Sequence, residues 1–178
     1  VAAITILLYG QFLFNAFYLG FTIGISPIVG FQYGAGDKQK LRNIYHTSFL
    51  FVAVSSVFMA VIAIVLSPTI VTIFTDDPAT YELAAAGFRL FAINFLFSGI
   101  SITSSGFFTA LSNGTISAVI SFCRTLGFIV LSLLILPKFL GITGAWIAIP
   151  VAEFCTLLVT GVMHFVYFWK PGIRNYLR

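Results

Sequence analysis

Apolar residues occupy every helical face along five stretches of the chain, and short polar stretches separate them. The five stretches cover residues 2–33, 43–74, 79–111, 115–136 and 144–168. Their lengths match or exceed the roughly 18 to 25 apolar residues that a helix needs to cross a bilayer. A transmembrane β-strand would alternate apolar and polar positions over about ten residues. The pattern therefore predicts an all-α integral membrane protein, a bundle of about five transmembrane helices.

The composition excludes soluble and disordered classes of protein. Charged residues make up 8% of the chain and apolar residues 60%, whereas soluble domains carry about 25% charged residues. Disorder needs low hydrophobicity and high net charge, which is the opposite of this composition. The net charge of +4 comes from predicted loops. It therefore indicates membrane topology and lipid contact, and not the binding of nucleic acid.

The basic residues predict the orientation of the spans. Those at 38–42 share a predicted side with those at 169–178, and the acidic residues at 76–82 lie on the other side. The positive-inside rule places the first set in the cytoplasm, with 169–178 as a cytoplasmic tail. Five spans then put the N-terminus outside, although no secretory signal precedes them. We therefore predict that residues 1–178 form one transmembrane lobe, truncated at its N-terminus.

Two charged residues are predicted to lie deep in the membrane. Glu153 is about nine residues into the fifth span, so about 14 Å deep at 1.5 Å per residue. Arg124 reaches a similar depth in the fourth span, which enters from the opposite side. Charges at this depth are costly and are functional candidates. Two interpretations stay open, namely an ion pair that fixes helix packing and a group that couples transport to an ion.

Uncharged polar residues form a second candidate site within the spans. They are Asn15 and Gln32 in the first span, and Asn94, Ser98, Ser101 and Ser105 in the third. The last four step by four, three and four residues, so they share one helix face. Such a stripe is either hydrogen-bonding contact between helices or the wall of a water-filled cavity. In the second interpretation, these residues would contact the substrate.

Two prolines lie inside predicted spans, Pro27 in the first and Pro150 in the fifth. A proline removes a backbone donor from the helix, and it therefore predicts a kink. A helix with bent and straight forms would supply a gating element. A rigid kink explains the same residues.

Three stretches resemble the multidrug and toxic compound extrusion family, the MATE transporters. They are GISPIVGFQYGAGD at 24–37, FTDDP at 74–78 and GITGAWIAIPVAE at 141–153. Arg124 also occupies a position where that family usually has an arginine. The resemblance implies the C-terminal lobe of a twelve-helix MATE-like transporter. The five spans would be its last five, with the seventh helix absent from this chain.

The resemblance also implies a function. Such proteins are secondary antiporters, not enzymes, and export cationic organic compounds or drugs in exchange for Na⁺ or H⁺ by alternating access. They need no metal or cofactor beyond that coupling ion. The implied partners are the missing N-terminal lobe, the lipid bilayer and small organic cations, and the implied location is a multi-pass position in a cell membrane, the bacterial plasma membrane. Because residues 90–111 contain no carboxylate, a coupling carboxylate would be Glu153 or lie upstream.

Two other functions stay open. A lipid-linked saccharide flippase of a related fold should line its cavity with more cationic residues, which would hold a pyrophosphate. A non-transporting membrane scaffold should have neither a polar stripe nor a deep charge.

Overall fold

The computed structural model describes residues 2–169, with side chains over 5–168, and this part of the chain contains helices and no strand. The helices are α1 (Ala2–Gly34), α2 (Lys38–Phe74), α3 (Pro78–Phe91), α4 (Phe95–Ala110), α5 (Gly114–Phe122) and α6 (Phe128–Trp169). The predicted all-α membrane fold is confirmed. The predicted cytoplasmic tail lies outside the described residues, apart from Trp169 at the end of α6.

The turn between α1 and α2 depends on Asp37. Its Oδ1 accepts a hydrogen bond from the backbone N–H of Lys40 at 3.0 Å, which caps the start of α2. That backbone hydrogen bond is the main reason why the pKa of Asp37 lies below its usual value. Gly36 precedes it with φ 71°, in the left-handed region that glycine tolerates. With this cap, α2 begins at Lys38, ahead of the apolar stretch that starts at 43.

The turn between α2 and α3 uses a similar device. Asp77 Oδ2 accepts hydrogen bonds from the Thr80 backbone N–H at 2.9 Å and from the Thr80 hydroxyl at 2.6 Å. The bond from the hydroxyl is the main reason why the pKa of Asp77 lies below its usual value. Pro78 takes the first helical position, where its missing N–H removes no intrahelical bond.

The third predicted span is one helical rod with a change of pitch in the middle. A 3₁₀ turn at Ala92–Asn94 connects α3 to α4. The rod ends at Ala110, and Asn113 then caps α5 by accepting a hydrogen bond from the backbone N–H of Ile116 at 3.3 Å. This short turn makes α4 and α5 antiparallel neighbours.

The last predicted spans, the fourth and fifth, form a helical hairpin. Helical backbone lies on both sides of Gly141 within Phe128–Trp169, but Gly141 itself has φ 58° and ψ −135°, a conformation open only to glycine. In a straight helix, residues 124 and 153 would be about 43 Å apart, yet Arg124 and Glu153 are in hydrogen-bond contact. The chain therefore reverses at Gly141, and residues 114–140 and 142–168 run side by side.

Four helices of the described residues are long and apolar enough to cross a membrane, against five predicted spans. The difference lies in the hairpin, because its 55 residues, Gly114–Phe168, form one nearly uninterrupted stretch of helical backbone that contains both the fourth and the fifth predicted span. At 1.5 Å per residue a straight helix of that length would extend for about 80 Å, far beyond a bilayer core of about 30 Å. The break at Gly141 divides it.

Helix α4 lies at the centre of the bundle and contacts α1, α2, α5 and α6. Two apolar clusters fill the ends. One contains Phe88, Phe91 and Phe95 with Trp146, and the other contains Phe107 and Phe108 with Tyr167. Large apolar side chains cover the outer faces of α1, α2 and α6. An exposed apolar surface of this extent is what a lipid-embedded protein presents.

Near the second cluster, His164 of α6 forms hydrogen bonds to both α2 and α4. Its Nδ1 lies 3.0 Å from the Tyr45 hydroxyl of α2, and its Nε2 lies 3.0 Å from Ser104 Oγ of α4. Because the Ser104 hydroxyl donates to the Ile100 carbonyl, Ser104 accepts from His164 Nε2–H. Nδ1 then accepts from Tyr45. Neutral His164 thus satisfies both of its ring nitrogens.

Candidate functional site

The two deep charges meet across the hairpin. Arg124 Nε donates to Glu153 Oε1 at 2.9 Å and to Oε2 at 3.3 Å. The Glu153 side chain is 1% exposed, whereas that of Arg124 is 18% exposed. The pair is therefore sealed on the carboxylate side and open on the guanidinium side.

Arg124 lies in an irregular part of its helix. Residues Cys123–Gly127 form a π-helical turn between α5 and α6. Such turns are wider than the α-helix and occur often at functional sites. The Thr125 hydroxyl donates back to the Ser121 carbonyl at 2.7 Å. Arg124 lies within this turn and contacts Glu153 on the facing arm of the hairpin.

A crevice of about 200 Å³ opens between α1, α4 and the α5–π turn segment, beside Arg124. We call it the polar crevice, after the polar residues in its lining. They are Thr22, Ser101, Ser105, Ser121, Arg124 and Thr125. The structure thus joins half of the predicted polar stripe to the predicted deep arginine. In the sequence, the two are separate features on different spans.

Hydroxyl groups connect the two walls of this crevice. Ser105 Oγ lies 2.9 Å from Ser117 Oγ and 2.7 Å from Ser121 Oγ, so α4 and α5 are bridged by a hydroxyl chain. Thr22 of α1 donates to Thr103 of α4 at 3.3 Å. Ser117 and Ser121 were not predicted from the sequence. Their spacing of four residues, just beyond the turn at 111–113 that follows α4, is the signal that could have identified them.

Two of the four stripe residues, Asn94 and Ser98, lie outside the crevice lining. Asn94, Ser98 and Ser101 are fully buried, and their side-chain polar atoms have no hydrogen-bond partner among the described residues. Buried polar atoms without partners are uncommon in proteins, so this part of the stripe differs from an ordinary packing contact between helices. Only Ser101 of the three also lines the crevice.

The structure does not bring the polar residues of α1 into the crevice. Asn15 is half-buried, and its Oδ1 has no partner among the described residues. Gln32 is half-buried near the end of α1. Neither residue lines the crevice, so their contribution to substrate binding stays a prediction.

The two prolines occupy different surroundings. Pro27 is exposed within a helix that continues from Ala2 to Gly34, next to Ser26, whose hydroxyl donates to the Thr22 carbonyl at 2.8 Å. Pro150 is buried three residues before Glu153 and borders an apolar pocket of about 300 Å³ with Phe97. Gating at either proline stays a prediction.

Comparison with known proteins decides the family. The profile of the family described as MatE matches residues 1–134, three quarters of the chain. The chain belongs to the MatE family. The resemblance found in the sequence is thereby confirmed, and the matched residues include Arg124 and the whole polar crevice but end before Glu153.

Curated members of this family show the same similarity. Multidrug and toxin extrusion protein 1 of Homo sapiens is 28% identical over 143 residues, 78% of this chain and 24% of the relative. The protein of the same name from Mus musculus is 24% identical over 141 residues, 76% of this chain and 24% of the relative. The chain thus spans about a quarter of the length of these MatE relatives. No solved structure matches the chain significantly.

Proposed function

We propose that this chain is part of a secondary antiporter that exports cationic organic compounds and exchanges them for Na⁺ or H⁺ by alternating access. The family and the names of its curated relatives support a multidrug exporter of the multi-pass membrane class. A bacterial plasma membrane is the proposed location. The rest of the transporter, including an N-terminal lobe, is the proposed partner, together with lipid. Beyond the coupling ion, the proposal needs no cofactor and assigns no enzymatic reaction.

The observation that carries this proposal is the polar crevice within a bundle of apolar helices. Polar side chains are expensive inside a bilayer and persist where they line a pathway or a site. A scaffold has no use for such a lining. A flippase for lipid pyrophosphates needs several cations, whereas Arg124 is the single charged side chain among the described residues that line the crevice.

The coupling role that Glu153 could play is less well supported than a structural one. Both of its oxygens accept from Arg124 Nε, and the side chain is almost fully buried. A coupling carboxylate has to exchange its ion with water on both sides of the membrane. We therefore propose that Glu153 fixes the arginine and that ion coupling uses a group elsewhere in the transporter.

The proposal predicts ion-driven transport of organic cations. The full-length transporter that contains this chain is reconstituted into liposomes, and ethidium flux is recorded after an imposed Na⁺ or H⁺ gradient. We expect the gradient of one of the two ions to accelerate flux against its own direction. Liposomes without protein are the control.

Two outcomes contradict this prediction. Flux no faster than in protein-free liposomes under either gradient removes the antiporter proposal. Transbilayer movement of a lipid-linked saccharide without ethidium flux supports the flippase in its place.

A further inference from the structure

An open groove of about 460 Å³ lies between α1 and α2, near the turn that joins these two helices. Both helices contribute to its lining, which consists of Phe21, Ile25, Ile28, Asn43, Ile44, Thr47, Ser48 and Phe51. We call it the α1–α2 groove. It shares no lining residue with the polar crevice, so the two are separate features of the described part of the chain.

The groove has the depth of one membrane leaflet. On α2 it extends from Asn43 to Phe51, which is about 12 Å at 1.5 Å per residue. One half of a bilayer core of about 30 Å measures about 15 Å. The deep end is apolar, and the rings of Phe21 and Phe51 lie 4.8 Å apart there. Because Ile28 and Phe51 are exposed, the groove opens on the outside of the bundle, where an acyl chain can enter it.

The end of the groove nearest the turn is polar. Asn43 lies there, followed by Thr47 and Ser48. The side-chain oxygen of Asn43 accepts from Gln39 Nε2 at 3.4 Å. The side-chain N–H groups of Asn43 and the hydroxyls of Thr47 and Ser48 have no partner among the described residues. These donors can bond the ester and phosphate oxygens of a lipid.

Positive charge lies next to this polar end. Residues 37–42 contain Lys38, Lys40 and Arg42 against the single carboxylate of Asp37. Lys40 is paired with Asp37 at 3.1 Å, but its side chain is 67% exposed, and exposed pairs contribute little. The described residues contain no ion-pair partner for Lys38 or Arg42. The local charge therefore favours an anionic lipid over a zwitterionic one.

Lys40 is the basic residue in register with the groove. It precedes Asn43, Ile44 and Thr47 by three, four and seven residues, so it shares their face of α2. Arg42 lies two residues after Lys40, which is about 200° around a helix of 3.6 residues per turn. Arg42 is therefore on the other side of α2.

We propose that the α1–α2 groove binds one anionic phospholipid, with an acyl chain between the two helices and the phosphate beside Lys40 and Asn43. The lipid belongs to the leaflet on the side of residues 38–42, which the positive-inside rule places in the cytoplasm. This site is more specific than the general contact of apolar helices with lipid, because it selects a headgroup charge. It does not depend on which compound the transporter exports.

Photolabelling of the full-length transporter tests the site. The transporter is placed in phosphatidylcholine nanodiscs that contain a phosphatidylglycerol probe with a diazirine in its acyl chain. We expect light to attach this probe to Phe21, Ile25 or Phe51, and we expect unlabelled phosphatidylglycerol to displace it. A phosphatidylcholine probe with the same diazirine chain is the control for the headgroup, and it should label these residues much less.

Lys40→Gln and Arg42→Gln form a matched pair of charge variants. We expect Lys40→Gln to raise the probe concentration that half-saturates labelling about fivefold, the contribution of one basic residue at an anionic membrane surface. Arg42→Gln removes the same charge from the other side of α2, so its half-saturating concentration should stay close to that of the wild type.

A second pair of variants tests the groove itself. Thr47→Trp places an indole ring in the groove, and we expect it to abolish labelling of the groove residues. Leu50→Trp is the matched control, because Leu50 is exposed on α2 but does not line the groove. Labelling of the Leu50→Trp variant should equal that of the wild type.

Four results would overturn this inference. Absence of label from the groove residues would show that another part of the transporter covers the groove. Equal labelling by the two probes would mean ordinary lipid contact. Equal effects of Lys40→Gln and Arg42→Gln would mean diffuse attraction to the basic turn. Unchanged labelling of Thr47→Trp would place the lipid outside the groove.

Discussion

Arg124→Gln is expected to destabilise the transporter more than Glu153→Gln, although both changes break the same ion pair. Removing one partner of a buried pair costs about 3–5 kcal/mol, because the other charge is left uncompensated. Arg124→Gln leaves Glu153, at 1% exposure, with no access to water. Glu153→Gln leaves Arg124, whose guanidinium borders the crevice and can be hydrated there. We expect about 3–5 kcal/mol for the first change and about 1–3 kcal/mol for the second.

The double variant Arg124→Gln with Glu153→Gln completes the cycle. Two amides can hydrogen-bond each other, and no charge is left buried, so we expect the double variant to be more stable than Arg124→Gln alone. The measurement is denaturant unfolding of the full-length protein in detergent micelles. Additive losses in the double variant would contradict the ion pair, since coupled residues are non-additive.

Gly99→Ala is expected to destabilise the helix bundle by overpacking. A Cβ at Gly99 would lie 2.6 Å from Tyr18 Cε1 and 2.7 Å from Ser56 Oγ, so α1, α2 and α4 meet at this glycine. The Tyr18 ring has no room to move, because it is fully buried and its hydroxyl donates to the Phe95 carbonyl at 3.4 Å. Overpacking of this kind costs about 1–3 kcal/mol.

Gly20→Ala is the matched control for this prediction. Gly20 is a helical glycine of α1, and a Cβ there would meet no atom within 4 Å. Alanine should therefore be neutral or gain up to about 1 kcal/mol from helix propensity. Thermal unfolding of both variants in detergent provides the comparison. Equal melting temperatures for the two variants would show that the close approach at Gly99 does not limit packing.

The all-α membrane fold was predictable because it rests on local signals. Apolar stretches and charge positions depend on the chain alone, and so do the caps at Asp37 and Asp77. The start of α2 at Lys38 follows from Asp37 as its N-cap, whereas hydropathy alone detects only the apolar part of this helix, from residue 43. The sequence predicts a loop at 137–141, whereas the structure keeps helical backbone up to Gly141, where the chain reverses.

The candidate site was predictable only in pieces. The periodicity of Ser101 and Ser105 identifies a shared face, but it does not say which helix covers that face. The π turn around Arg124 and the 3₁₀ turn at Ala92–Asn94 have no local sequence signal, because they depend on packing against other helices. The crevice is therefore a tertiary feature that sequence periodicity could not delimit.

The proposed function requires that water and substrate reach the polar crevice, which lies inside the membrane domain. Single cysteines placed at Ser105 and Ser121, in a background with Cys123→Ala and Cys155→Ala, test it most directly. We expect a charged, water-soluble methanethiosulfonate reagent to label both positions, and we expect substrate to slow the labelling. A cysteine at the fully buried Ser98 should stay unlabelled. If the cysteines at 105 and 121 are as unreactive as the cysteine at 98 from both sides of the membrane, the crevice contains no water and the proposed pathway is wrong.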